Sequence, residues 1–184
     1  MLDILNMVMI GGNMRNAGKT TLACNIISRF SKTHEVIGLK VTSIQPDDKE
    51  FHGNHPELDF KGFSTFEETD TDSYKDTSKM LQAGAAKVFY IRTEDFFIEQ
   101  ALLHFLSKYI NNQLIVCESR SLRDFINPGL FLMMMKSEPA EKAKDVSAFL
   151  SKADKVFSYS NDQDEISRFV AEMYFEQGKF KIAN

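Results

Sequence analysis

Gly11-Gly12-Asn13-Met14-Arg15-Asn16-Ala17-Gly18-Lys19-Thr20-Thr21-Leu22 is the stretch that decides the fold of this chain. The apolar run before it, residues 4–10, reads as a buried strand, and residues 21–30 after it have helical spacing. A strand, a glycine-containing loop ending in Gly-Lys-Thr and then a helix is the context in which such a loop binds phosphate. The reason is local. Backbone N–H groups of the loop and first helical turn have no intrahelical acceptor, and the helix dipole puts partial positive charge at the same end. Lys19 adds a full charge at the β- and γ-phosphates, and the Thr20 hydroxyl is a ligand for Mg²⁺. The plainer alternative, an exposed lysine at a helix start, sets that cation against the dipole with nothing to offset it.

Aligned on Gly18, the template G-x-x-x-x-G-K-[ST] puts Asn13 at the first glycine position, with Gly12 one residue early. Asparagine enters left-handed conformations more readily than most residues. Either Asn13 makes the turn, or the loop starts at Gly12 and is one residue longer. The candidate nucleotide cradle runs from Gly12 and Asn13 through Arg15, Asn16, Ala17 and Gly18 to Lys19, Thr20 and Thr21. Arg15 is a second cation within it, placed to touch the γ-phosphate, and joins Lys19 as a candidate catalytic residue.

Working outward, apolar runs of strand length recur at residues 5–10, 36–41, 87–91, 114–117, 130–135 and 155–159. Helical stripes lie between them: Ile98, Ala101, Leu102 and Phe105 form one, and Ile166, Phe169, Val170 and Met173 another. Near-continuous apolar strands alternating with helices predict a three-layer α/β fold, with a mostly parallel sheet of about six or seven strands flanked by helices. Residues 43–71 break this rhythm. They are polar, carry Pro46 and Pro56, and read as a long loop at the same sheet edge as the phosphate loop. His52 and His55 lie there at a spacing that points to solvated loop histidines before a metal site.

The strand at 114–117 runs into Glu118, the pattern that brings a carboxylate to a strand tip beside the phosphates. Glu118 there either holds Mg²⁺, directly or through water, or orients an attacking water. Arg120 and Arg123 follow; they reach an anion, either the γ-phosphate or a second substrate, or they pair with acids such as Asp124. Asp70 and Asp72 precede a helix expected over 73–82, where Asp72 is either a further metal ligand or a cap. Asn161, after the last strand, is the candidate reader of the nucleotide base. No full N-K-x-D guanine signature accompanies it, so ATP and GTP both remain.

With 184 residues, the chain is expected to form a single domain, 1–184, burying roughly two thirds of its unfolded surface. Hydrophobic residues at 43% and charged residues at 26% are ordinary for a soluble protein, and a net charge of −4 disfavours a general nucleic-acid binder. The apolar N-terminal run lacks a basic leader and is too short to span a bilayer, so no membrane association and a cytoplasmic location are expected. Cys24 and Cys117, far apart and in no C-x-x-C, read as buried reduced thiols.

Taken in order, the phosphate loop, Lys40 near the end of the second strand, Asp72-Ser73-Tyr74, Gln82-Ala83-Gly84-Ala85 with Val88, and the strand ending in Glu118 form a pattern across residues 5–135. It resembles the molybdopterin-guanine dinucleotide biosynthesis protein B family (MobB), a branch of the P-loop GTPases related to MinD and dethiobiotin synthetase. The chain departs from that family where Val41 follows Lys40 in place of His, where Ser119 follows Glu118 in place of Gly, and in the loop itself. Met14 stands where MinD-type ATPases carry a second lysine. The resemblance implies a P-loop NTPase fold and a weak, Mg²⁺-dependent NTPase with GTP favoured. It further implies a homodimer acting with a partner enzyme as an accessory factor in molybdenum-cofactor or related cofactor maturation. The alternatives are a small-molecule kinase or ATP-dependent ligase-like enzyme on the same fold, and an interaction module with a degenerate loop.

Overall fold

Met7, Val8, Met9 and Ile10 have no exposed surface, so the strand that carries them must be covered on both faces. That strand is β1 (Leu2–Gly12), and two layers of helices cover it. The computed structural model describes residues 1–44, 62–136, 145–159 and 163–183. The elements after β1 are α1 (Lys19–Phe30), β2 (Val36–Ile44), β3 (Phe63–Glu68), α2 (Asp76–Gln82), β4 (Lys87–Glu94) and α3 (Ile98–Tyr109). The second half adds β5 (Leu114–Glu118), β6 (Ile126–Met135), α4 (Ser147–Leu150), β7 (Lys155–Ser158), α5 (Gln163–Glu172), β8 (Met173–Glu176) and β9 (Lys179–Ile182). Seven strands form one sheet in the order β3-β4-β2-β5-β1-β6-β7, parallel throughout except for β3, which runs antiparallel to β4.

Alternation along β1 divides the core. Val8 and Ile10 face α1, α2 and α5, joining Leu22, Ile26, Met80 and Phe169 in one apolar layer. Met7 and Met9 face the opposite way, onto Ile98, Leu102 and Phe105 of α3. The stripe read from the sequence for α3 is therefore its buried face, locked by Phe105 meeting Phe89 edge-on at 5.3 Å. α2 has seven residues, too few to persist alone in water. Fully buried Met80 anchors it, at about 1.5–3 kcal/mol for a side chain of that size.

Four boundaries differ from the sequence expectation. Residues 63–68, read as loop, form the edge strand β3; their side chains are only half covered, so no clear alternation marks them. β6 begins at Ile126 and not at 130, passing through Pro128 and Gly129 where its register with β1 shifts between Ile4 and Val8. Proline and glycine are tolerated at such an irregularity. The helix expected from 73 starts at Asp76, because residues 70–73 are taken up by turns in which the Asp72 N–H donates to Asp70 Oδ1 (2.9 Å) and Ser73 Oγ meets Ser78 Oγ (2.6 Å). Met173, placed in the last helical stripe, instead starts the β8–β9 hairpin, whose central residues Gln177 and Gly178 both have positive φ (53° and 76°). Phe180 of that hairpin packs edge-on against Phe30 at 5.1 Å, and Arg29 Nη2 donates to the Met173 carbonyl at 2.7 Å, fastening the hairpin to the end of α1. His52 and His55, and most of the expected 43–71 loop, lie outside the described residues.

Candidate functional site

Parallel register brings the chemistry to one sheet edge. Glu118, the last residue of β5, lies beside Ile10 of β1 on one side and Lys40 of β2 on the other. β1 then leads through Gly12 into the loop that starts α1. An added Cβ at Gly12 would stand 2.9 Å from the Met134 carbonyl oxygen and 3.0 Å from Lys19 Cδ, so this glycine is needed for close approach and not for a turn. The left-handed residues are Asn16 (φ 56°) and Gly18 (φ 85°). Asn13 is not among them, so it does not make the turn. Asn13 is buried: its Nδ2 donates to the Lys136 carbonyl and its Oδ1 accepts the Lys136 N–H, both at 3.0 Å. A glycine there would lose both side-chain bonds to Lys136 and keep only the backbone N–H to the Met134 carbonyl at 3.4 Å.

Gly18 begins α1 with no side-chain cap and no acid in the first turn, so no side chain claims the leading N–H donors. Lys19 lies half-buried under the loop with Nζ donating to the Met14 carbonyl at 2.9 Å. Burial lowers its pKa, with Glu118 pulling the other way. Ala17 is buried beneath the loop, while Arg15 and Asn16 are exposed at its crest and Thr21 on the outer face of α1.

Thr20 Oγ1 donates to Glu118 Oε2 at 2.8 Å, joining the loop to the strand tip. A second carboxylate completes the cluster, and it is Asp76, not Asp72. Asp72 is exposed in the turn before α2, its carboxylate 3.4 Å from the Thr71 hydroxyl. Asp76, opening α2, forms a short ion pair with Lys40 and lies against the Thr20 hydroxyl. Lys40 Nζ is also 3.9 Å from Glu118 Oε1, so one ammonium sits between two carboxylates. Burial opposes both charges of the Lys40–Asp76 pair, yet Glu118 and Asp76 raise the Lys40 pKa, and Lys40 lowers that of Asp76. Oxygens of Thr20, Glu118 and Asp76 are the hard donors that a Mg²⁺ beside phosphates uses. Sequence reading missed Asp76 because an acid in a helix's first turn reads simply as a dipole partner.

Lys40→Met leaves Asp76 and Glu118 facing each other without their cation. The carboxylate of Asp76 owes its lowered pKa to that partner, so the pair's contribution is present above the ordinary carboxylate range and is lost as pH falls through the lowered value. The variant should therefore melt below the parent at neutral pH, with the gap closing only below about pH 4, as pH falls through the lowered Asp76 value. Thermal melts across that range read the difference.

Other candidates fall apart from this cluster. Asn161 lies outside the described residues. Arg123 is committed to structure, with Nη1 donating to the Ile126 carbonyl at 2.9 Å and to Asn127 Oδ1 at 3.0 Å. Cys24 and Cys117 are both free; burial pushes the Cys24 thiol up to about 11 and the Cys117 thiol higher still. A shallow hollow of ≈ 290 Å³ lined by His34, Glu35 and Gln113 opens just before β2 and β5, at the far end of the sheet. The candidate residues that the fold brings together gather at the loop edge.

A search of solved structures finds LpxK from Aquifex aeolicus, crystallised in complex with ATP, at TM-score 0.51 and 14% identity. The two share a fold, an α/β arrangement with a mostly parallel sheet flanked by helices. The match covers 94% of this chain and 51% of LpxK, so the chain spans about half the length of that protein. No protein-family model matches the sequence, and no curated protein does. No helix among the described residues is long and apolar enough to cross a membrane.

Proposed function

We propose that this protein binds a Mg²⁺–nucleoside triphosphate at residues 11–21 and cleaves its terminal phosphoanhydride bond. The observation that supports this is convergence on one loop: an uncapped helix start, Lys19 beneath it, and Thr20 held by a buried carboxylate at a strand tip. Thr20, Glu118 and Asp76 would hold the metal, directly or through water. When bound, Mg²⁺ supplies charge neutralisation at the β- and γ-oxygens. Lys19 exchanges the Met14 carbonyl for phosphate oxygens, while the leading N–H groups of α1 bind the phosphates through backbone contacts. Arg15 reaches the γ-phosphate from the loop crest, and Glu118 orients the attacking group.

Two fates of the phosphoryl group divide the reading. In the first, carried by the MobB-like pattern, water attacks. GTP is then the nucleotide, and a homodimer serves a partner enzyme of cofactor maturation as a weak NTPase. In the second, a metabolite attacks, and the protein is a small-molecule kinase or an ATP-dependent ligase-like enzyme. The ATP in the LpxK crystal structure favours the second reading's choice of nucleotide. Incubation with γ-labelled Mg–ATP and Mg–GTP, with and without a small-molecule extract, tests both. Slow phosphate release indifferent to the extract supports the accessory NTPase, and label moving to a metabolite supports the kinase. No cleavage of either nucleotide contradicts both.

A further inference from the structure

Asp76 and Glu118 have two claimants. As oxygen donors beside Thr20 they suit a divalent cation, and in the structure both carboxylates face the ammonium of Lys40. Parallel register sets Lys40 of β2 directly beside Glu118 of β5, and Asp76, opening α2, meets the same ammonium. Nζ is in an ion pair with Asp76 and lies 3.9 Å from Glu118 Oε1, while Glu118 Oε2 accepts from Thr20 Oγ1 at 2.8 Å. The Lys40 side chain is only 24% exposed, so this is not a surface pair whose ends drift apart in water.

Two cations cannot share those oxygens. Mg²⁺ requires oxygens at about 2.0–2.1 Å in near-octahedral order, which an ammonium in contact with the same carboxylates denies it. A single and a double positive charge also repel strongly at such range, because partly buried charges are poorly screened. A polyphosphate changes the balance, since it brings oxygens for the metal and negative charge for the displaced ammonium.

Resting on the nucleotide-site reading above, we propose that Lys40 is a stand-in cation that keeps Mg²⁺ out of the Asp76–Glu118 pair until a nucleotide arrives, so that metal binding depends on nucleotide. Lys40 neutralises the two carboxylates in the unliganded protein and yields them when phosphates enter beside Lys19. By linkage, the same coupling makes nucleotide binding depend on metal.

Titration of Mn²⁺, a hard cation that takes the same oxygen donors, reads the competition by electron paramagnetic resonance without nucleotide. The parent should bind Mn²⁺ weakly and Lys40→Met at least about tenfold more tightly, because the repelling charge is gone. Lys40→Arg, which keeps the charge, should stay with the parent, and Asp76→Asn added to Lys40→Met should erase the gain. Mg²⁺ alone should raise the melting temperature of Lys40→Met more than that of the parent. Adding ADP or GDP should tighten Mn²⁺ by a larger factor in the parent than in Lys40→Met. Equal Mn²⁺ affinity in parent and Lys40→Met, or an equal gain in Lys40→Arg and Lys40→Met, overturns the proposal and leaves the nucleotide site standing. A parent that binds no nucleotide even with Mg²⁺ overturns both. Lys40→Gln, which keeps a hydrogen-bond donor for Asp76, carries the test should Lys40→Met fail to fold.

Discussion

Replacing Lys19 with alanine is expected to weaken Mg–nucleotide binding by about a hundredfold, near 2.7 kcal/mol, while leaving the protein folded. The two halves of this result have separate causes. Lys19 is the ammonium beneath the loop, and its partner within the chain is the Met14 carbonyl at 2.9 Å. Truncation therefore removes a half-buried cation whose charge burial already disfavours, so the fold loses little. What disappears is the charge-assisted contact to the β- and γ-phosphates, which the N–H groups of α1 cannot replace. Calorimetry paired with a melt of the unliganded variant checks both halves. Unchanged affinity would remove Lys19 from the site, and a large fall in melting temperature would make it a structural residue.

The second large effect is on stability. Gly129→Ala is expected to cost about 3 kcal/mol or more, because the new Cβ would overlap the carbonyl oxygen of Leu5 and crowd that of Met7 at 3.3 Å. The obstacle is backbone in the neighbouring strand, which cannot rotate away as a side chain does. The position also explains why that close approach exists. β1 and β6 change register between Ile4 and Val8, and Gly129 sits in the irregular stretch that resets the pairing before Gly12 meets Met134. For a protein of this size, a melting temperature lowered by about 6–12 °C is the expected reading. Gly178→Ala, where nothing lies within 4 Å, has only its positive φ to lose and should cost much less.

Those two glycines illustrate which parts of the molecule could be read from the chain. Strands buried on both faces were legible because residues 7–10 and 114–117 have no polar interruption and 36–41 has only Lys40, and the loop followed from Gly18-Lys19-Thr20 standing between a strand and a helix. Glu118 was legible because an acid ends an apolar run. β3 was not, since an edge strand with half-covered side chains carries no period. The start of β6 was hidden by Pro128 and Gly129, which read as a break until β1 supplies the irregular partner. Within the site, Asp76 escaped because only the path of α2 beside Lys40 brings it to Thr20. Asn13 looked like a substitute for a turning glycine, whereas its role depends on the Lys136 backbone 123 residues away. Such contacts follow from tertiary placement, and short-range pattern does not encode them.

Melting the protein with Mg²⁺ and each of ATP, GTP, ADP and GDP tests the central claim most directly. A ligand at a hundredfold excess over its dissociation constant adds about 2.7 kcal/mol to stability, a rise of about 5–11 °C for a chain of this length. A Mg²⁺-dependent rise with a nucleoside triphosphate, absent in Lys19→Ala, is the predicted result. No rise with any of the four, at millimolar nucleotide and Mg²⁺, would contradict a nucleotide site at residues 11–21.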